Sequence, residues 1–261
     1  MKKRVISAVV FLLISLPFVY IGGISFYFLS MIISLLAFKE LLDLVTKDYW
    51  TRLVYYICFL FLLGSNIGQN NLNNILDFKV LSIVILILCF LQLLNYKSKK
   101  YNLEKNFFLI GGIILLACSF ASMIILRNIS LFYFIYIFLI TTMNDIFAQF
   151  IGILFGKHKV NEISPNKTWE GCLGGLFFGT LISTLFYLIF INQDINIFIL
   201  IFFTMFLSVV AQLGDLFFSL VKRSFKIKDF SNIMPGHGGL LDRFDSAIFV
   251  ALAFIYFINF L

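Results

Sequence analysis

Charge is scarce in this chain. Lysine, arginine, aspartate and glutamate make up 13% of its 261 residues, against roughly 25% in a typical soluble domain, which excludes an ordinary cytosolic globule. Cysteine offers no chemistry either. Cys58, Cys89, Cys118 and Cys172 lie within or at the start of apolar segments, with no CxxC pair and no histidine at ligand spacing, so they read as packing residues rather than a zinc or redox centre. No serine or cysteine nucleophile constellation is visible. The opening MKKRVISAVVFLLISLPFVYIGG has the basic start and apolar run of a secretory signal but no A-x-A-like cleavage site, so it is expected to stay as a first transmembrane helix. The formal net charge is +7, yet the lysines and arginines sit in short loops rather than in one basic domain. That distribution argues against a nucleic-acid partner and for orientation in a membrane of anionic lipids.

What the chain does have is apolar length. It is 61% hydrophobic with 35 phenylalanines, and its mean hydropathy is +1.02. Segments of about 20 apolar residues, enough to cross the hydrocarbon core as a helix, fall near 5–21, 24–44, 50–68, 77–95, 107–126, 130–155, 170–191, 195–221 and 244–261. The expected fold is therefore all-α: a polytopic integral membrane helical bundle of about nine transmembrane helices, forming a single transmembrane domain over 1–261. Gly22 and Gly23, with Pro17 before them, separate the first two spans. Placing the N-terminus in the cytoplasm puts every lysine and arginine inside except Lys79 and Arg127, as the positive-inside rule requires. The supposed outer loops, such as 65–77 and 191–194, are polar without a basic excess.

Two connections are richer than topology requires. The first, Asn144 to Gly171, has Asp145 inside an apolar run, Gln149 one turn on along the same face, and then Lys157, His158, Ser164, Lys167 and Thr168. A carboxylate so placed needs a cation, a hydrogen-bond donor or a proton. Ser164 is expected to cap a helix starting at Pro165, whose free amides would attract phosphate. Lys167 and Thr168 would add an ammonium and a hydroxyl; the plainer reading is a basic, topology-setting loop.

The second connection runs from Gly214 to Ser246. Asp215, Ser219 and Lys222 fall on one helical face, followed by Arg223. Then comes the turn Pro235-Gly236-His237-Gly238-Gly239, whose glycines allow a ligand close to main-chain amides. Asp242, Arg243 and Asp245 open the last span, the two aspartates three apart on one face. Paired carboxylates suit a hard cation such as Mg²⁺, which commonly takes a few carboxylates plus phosphate oxygens. Alternatively they pair with Arg243 or nearby lysines. His237 either shapes the turn, touches a phosphate or acts as an acid or base.

Ser219-Leu-Val-Lys222-Arg223, Lys228-Asp229 and Pro235-Gly-His237-Gly-Gly-Leu-Leu-Asp242-Arg243-Phe-Asp245-Ser246 resemble the C-terminal signature of the phosphatidate cytidylyltransferases, or CDP-diacylglycerol synthases. Asp145, Ala148, Gly152, Gly156-Lys157 and Ser164-Pro165-Asn-Lys167-Thr168-Trp169-Glu170-Gly171 match that family's upstream block. The strong match covers 144–175 and 208–246, while the first half shares only the span pattern. Gln149 stands where the family often has tyrosine, and Phe218 where it often has an acidic or polar residue. The resemblance implies transfer of the cytidylyl group of CTP to phosphatidic acid, giving CDP-diacylglycerol and pyrophosphate for phospholipid biosynthesis. It implies Asp215 and Asp242 as Mg²⁺ ligands with Asp145 and Asp245 in support. Ser164, Lys167, Thr168, Ser219, Lys222, Arg223, His237, Gly238, Gly239 and Arg243 would bind substrates. It further suggests a homodimer and a K⁺ ion beside the divalent one; the loop charges independently make this a multi-pass protein of the bacterial inner membrane whose site faces the cytoplasm. Competing readings are a CTP-dependent lipid (polyprenol) kinase, another lipid cytidylyltransferase, or a cation or proton transporter whose acids line the path.

Overall fold

The computed structural model describes residues 2–68, 77–94, 103–161, 164–165, 167–234, 236 and 238–258. Among these, nine helices follow one another: α1 (Lys2–Ile21), α2 (Gly23–Val45), α3 (Tyr49–Gly68), α4 (Phe78–Leu94), α5 (Leu103–Ile129), α6 (Leu131–Phe155), α7 (Trp169–Phe190), α8 (Ile197–Ser224) and α9 (Leu241–Phe257). Each expected apolar stretch has its helix, and the described residues contain no strand beyond two isolated bridges, Lys159 with Thr168 and Met234 with Gly238. The fold is all-helical. Five helices, α3, α5, α6, α7 and α8, are long and apolar enough to cross a bilayer. The outer loop expected at 65–77 and the basic loop with Lys97, Lys99 and Lys100 lie largely outside the described residues.

The breaks between helices have local causes. Gly22 and Gly23 take φ of 71° and 55°, left-handed values that glycine adopts without steric cost, and they part α1 from α2. Asp48 caps α3: the Thr51 amide donates to its Oδ2 at 2.9 Å and the Thr51 hydroxyl at 2.6 Å. Those two bonds favour the ionised form and hold the Asp48 carboxyl below its ordinary range. Ser130 caps α6 and Asn196 caps α8, each accepting from the amide two residues on.

The described chain divides into two compact units. The first comprises α1 to α4, α5 as far as Ile125, and the segment Asp229–Leu241. Its core is aromatic. Phe38 of α2 stacks on Phe59 of α3 with centroids 4.6 Å apart and meets Tyr56 edge-on, while Tyr55 donates to the buried Asn106 of α5. Asn106 in turn donates to the Leu88 carbonyl of α4 at 3.4 Å, so one amide of α5 ties in groups from two other helices. Arg52 and Asp43 pair at 2.7 Å at the α2–α3 turn.

The second unit comprises Leu126–Lys228 and Asp242–Leu261. α6 and α7 pack backbone to backbone along Gly171, Gly175 and Gly179, one every four residues of α7. A Cβ at Gly175 would lie 2.6 Å from the Asn144 carbonyl oxygen and 2.9 Å from the Ala148 Cβ; one at Gly179 would lie 3.3 Å from the Asn144 Cα. Small residues at this spacing let apolar helices approach closely where lipid supplies no hydrophobic drive between them. The opposite face of α7 carries Leu173, Phe177, Leu181, Leu185 and Ile189, again one every four, all exposed. A row like that is what a bilayer solvates, and it marks the chain as a membrane protein. Tyr136, Tyr187 and Phe254 pack together in the core, with the Tyr136 and Thr204 hydroxyls 2.7 Å apart.

Because a methyl group at Gly175 has no free space, Gly175→Ala should force α6 and α7 apart at a cost of about 1–3 kcal/mol. A lowered thermal midpoint in detergent, with Gly64→Ala as control, checks this; a Cβ at Gly64 meets nothing within 4 Å.

Candidate active site

The second unit gathers charge around one cavity of about 310 Å³, at the small end of the range for ligand pockets. Asp145 of α6, Lys167 of the loop before α7 and Asp215 of α8 all line it. Lys167 and Asp215 form an ion pair, each side chain about a quarter exposed. Asp215 also accepts from the Ser219 hydroxyl one turn on, at 3.4 Å, so the face of α8 expected from spacing is real. Asp145 and Asp245 both lie within electrostatic reach of Asp215, and Asp145 within reach of Lys167 and Arg243. The two sequence blocks thus converge: one supplies Asp145 and Lys167, the other Asp215, Asp245 and Arg243.

Beside this group, Lys222 of α8 donates to Asp242 of α9 at 2.7 Å. The Lys222 and Asp242 side chains are 12% and 6% exposed, so this ion pair is largely shut off from solvent. Arg223, next along α8, instead donates to the Ile227 carbonyl at 3.3 Å. It sits with Lys222 in the last turn of α8, where positive charge opposes the helix dipole.

The approach to α7 differs from expectation. Ser164 does not cap a helix at Pro165; the Lys167 amide donates to the Ser164 carbonyl at 3.1 Å, closing a turn with proline at its second position. The helix begins at Trp169, and its cap is Thr168, whose hydroxyl accepts from the Gly171 amide at 3.2 Å. Proline suits the first helical position, but it suits this turn position equally, and Thr168 is the residue with a hydroxyl in reach of an unpaired amide. Ser164 and Thr168 nevertheless both line the cavity. Glu170 fixes the loop from the other side. Its Oε2 accepts from the Lys157 and His158 amides at 3.2 and 3.3 Å, and its Oε1 meets His158 Nδ1 at 2.6 Å. His158 is therefore a tie for the loop.

Gln149, the departure from the family's tyrosine, lines the cavity, whereas Phe218 is buried in the core at 1% exposure. Gln212 and Cys172 were not expected at the site. Gln212 Nε2 donates to Asn144 Oδ1 at 2.9 Å and to the Cys172 carbonyl at 2.8 Å, and Asn144 donates to the Ser208 carbonyl at 2.9 Å. These amides cross-link α6, α7 and α8 beside the cavity, which Gln212 and Cys172 line. An amide side chain inside a membrane-length apolar run was the signal in the sequence.

The glycine turn belongs to the first unit. Gly236 and Gly238 take φ of 80° and 86°, and the Met234 amide donates to the Gly238 carbonyl at 3.0 Å. His237 lies outside the described residues. Gly239 packs on Glu40 of α2 so closely that a Cβ there would lie 2.6 Å from its carboxylate oxygens. Glu40 escaped the sequence reading although it too is an ionisable group in an apolar helix.

Lysines and aspartates gathered around one cavity of an apolar helical protein mark a functional site rather than packing. The chain belongs to the cytidylyltransferase family, whose model matches residues 2–261. It is 33% identical over 257 residues to a phosphatidate cytidylyltransferase of Staphylococcus haemolyticus, with 96% of each chain covered. Enzymes of the same name from Staphylococcus saprophyticus and Staphylococcus aureus are each 34% identical over 251 residues, again covering 96% of both chains. Likeness therefore extends well beyond the two blocks from which it was first read.

Removing one partner of an enclosed ion pair takes away part of what offsets the burial of the other. Lys222→Met should destabilise the protein by about 3 kcal/mol, and adding Asp242→Asn should restore part of that loss. Thermal or denaturant unfolding of the two singles and the double checks the pair; additive losses would show that it carries no coupling.

Proposed function

We infer that this chain transfers the cytidylyl group of CTP to phosphatidic acid, giving CDP-diacylglycerol and pyrophosphate for phospholipid biosynthesis. The observation that carries the reading is family membership across the whole chain, with relatives of that activity matched over 96% of their length. The charged cavity supplies the chemistry. Phosphatidate brings its own nucleophile, a phosphate oxygen, so no activated serine or cysteine is needed. That oxygen attacks the α-phosphorus of CTP, the bond to the bridging oxygen of the β-phosphate breaks, and pyrophosphate leaves with the electron pair. The protein's task is to hold two polyanions in line and offset their charge.

Lys167, Lys222, Arg223 and Arg243 would hold phosphate oxygens, with the Ser164, Thr168 and Ser219 hydroxyls and the Gly238 and Gly239 backbone adding hydrogen bonds. His237 would touch a phosphate from the turn. Mg²⁺ suits the donor set. Among the described residues no three His, Cys, Asp or Glu side chains are gathered as a complete metal cage, and Mg²⁺ commonly takes one or two carboxylates plus the substrate's own phosphates. Asp215 and Asp242 would be those carboxylates, with Asp145 and Asp245 in support. When bound, the ion would neutralise phosphate charge at the reacting centre. Asp215 is now paired with Lys167 and Asp242 with Lys222. Substrate binding would exchange partners, turning each carboxylate to the metal and each lysine to phosphate.

Nine helices and the alternation of basic loops support nine spans with a cytoplasmic N-terminus. That topology would put the cavity on the cytoplasmic side of a bacterial inner membrane, where CTP is available and where phosphatidate lies within reach. The reading includes a homodimer and a K⁺ ion beside Mg²⁺, both carried by the family resemblance. A lipid kinase or a cation transporter is not favoured by the relatives.

Purified protein given labelled CTP, phosphatidic acid and Mg²⁺ should yield CDP-diacylglycerol and pyrophosphate; release of CDP with a phosphorylated lipid would mean attack at the γ-phosphorus and overturn the reading. Asp215→Asn should lower kcat/KM by about 100-fold or more in correctly inserted protein. Unchanged Mg²⁺-dependent turnover in that variant would remove Asp215 from the site.

A further inference from the structure

Glu40 is 1% exposed in the middle of the first unit, and its two carboxylate oxygens are taken up by one segment far along the chain. Oε1 accepts from the Leu240 amide at 2.8 Å and from the Ser231 hydroxyl at 2.5 Å, while Oε2 accepts from the Leu241 amide at 2.8 Å. Gly239 completes the contact, since any side chain there would strike the carboxylate. Leu240 and Leu241 are themselves buried at 2% and 0%. A carboxylate anchored in α2 thus grips both ends of the segment that contains the glycine turn, and its second amide partner is the first residue of α9.

We propose that Glu40 is a positioning residue for cytidylyl transfer: by clasping Ser231, Leu240 and Leu241 it holds the backbone at Gly239 and the point at which α9 begins. Asp242 and Arg243 follow Leu241 directly in the chain, so a shift of the Leu241 amide moves the start of the helix that carries them. The first amides of a helix have no intrahelical acceptor. In α9 that acceptor is a carboxylate brought from α2, which also opposes the positive end of the helix dipole. Glutamine cannot replace it, because its amide nitrogen would set a donor against a backbone N–H where Glu40 offers a second acceptor. The inference rests on the reading that Asp242, Arg243 and the turn serve substrate.

The test uses the full chain in detergent with phosphatidic acid and compares Glu40→Gln and Ser231→Ala with the unaltered protein. Amide hydrogen exchange of the 238–241 backbone and the KM for CTP are measured on the folded fraction. Glu40→Gln should speed exchange and raise the KM for CTP about tenfold, the size expected for loss of a charge-assisted bond, and Ser231→Ala should raise it about threefold. A purely structural role would reduce the folded fraction and leave the KM unchanged, which overturns the proposal, as does unaltered exchange at Leu240 and Leu241. If Glu40→Gln does not fold, Ser231→Ala decides alone on the same two readouts. Asp242→Asn serves as the companion: full activity there would defeat the site assignment, while the exchange measurement would still report on the clasp.

Discussion

An ionised carboxylate among apolar helices costs several kcal/mol even after relaxation, and only a cation or a set of donors offsets that cost. The placement of polar groups in this protein follows from that constraint. Glu40 is met by two backbone amides and a hydroxyl, Asp215 by Lys167 and Ser219, and Asp242 by Lys222. In each case the partner lies on a different helix or loop from the carboxylate, apart from Ser219 in the same helix. Neutralising the charge therefore also fixes the relative placement of elements within each unit. Groups that would be costly in isolation become the ties of the fold.

Close helix contact supplies the other half of the second unit's geometry. With Gly171, Gly175 and Gly179 facing α6, the backbone at Asn144 comes near enough to α7 for its side chain to join the Gln212 network. Asp145 is the next residue, so its place in the cavity is set by a helix contact that contains no charge at all. Thr168 works in the same way from the other end. It caps α7 and, two residues before Glu170, holds the chain where Lys167 meets Asp215.

The helices were legible because their signal is cumulative: twenty apolar residues in succession leave few alternatives, and every expected stretch has its helix. The carboxylates and lysines of the two blocks were legible for the opposite reason, since each stands out against an apolar background. What could not be read was partnership. Spacing placed Asp215, Ser219 and Lys222 on one face, but nothing local says that Lys222 turns to Asp242 and Lys167 to Asp215, because those pairs span 20 and 48 positions. The start of α7 was misjudged because Ser164-Pro165 and Thr168-Trp169 both satisfy local rules, and the choice depends on a turn closed by Lys167. Glu40 was missed for want of a nearby motif, its partners being about 200 residues away.

Helix length relates the cavity to a bilayer. The 25 residues of α6 and the 28 of α8 make rods of about 37 and 42 Å at 1.5 Å per residue, longer than a hydrocarbon core of about 30 Å. Asp145 lies about 15 Å from the end of α6 and Asp215 about 14 Å from the end of α8, at the same rise per residue. If the surplus length emerges at that end, Asp145 sits about 8 Å and Asp215 about 2 Å inside the hydrocarbon boundary. Under the proposed function, a lipid phosphate would reach that depth by a short descent, and a nucleotide through a polar opening such as the cavity beside Lys167. The same depth that makes each carboxylate costly would then place it where a water-soluble triphosphate and a membrane-held phosphate can meet.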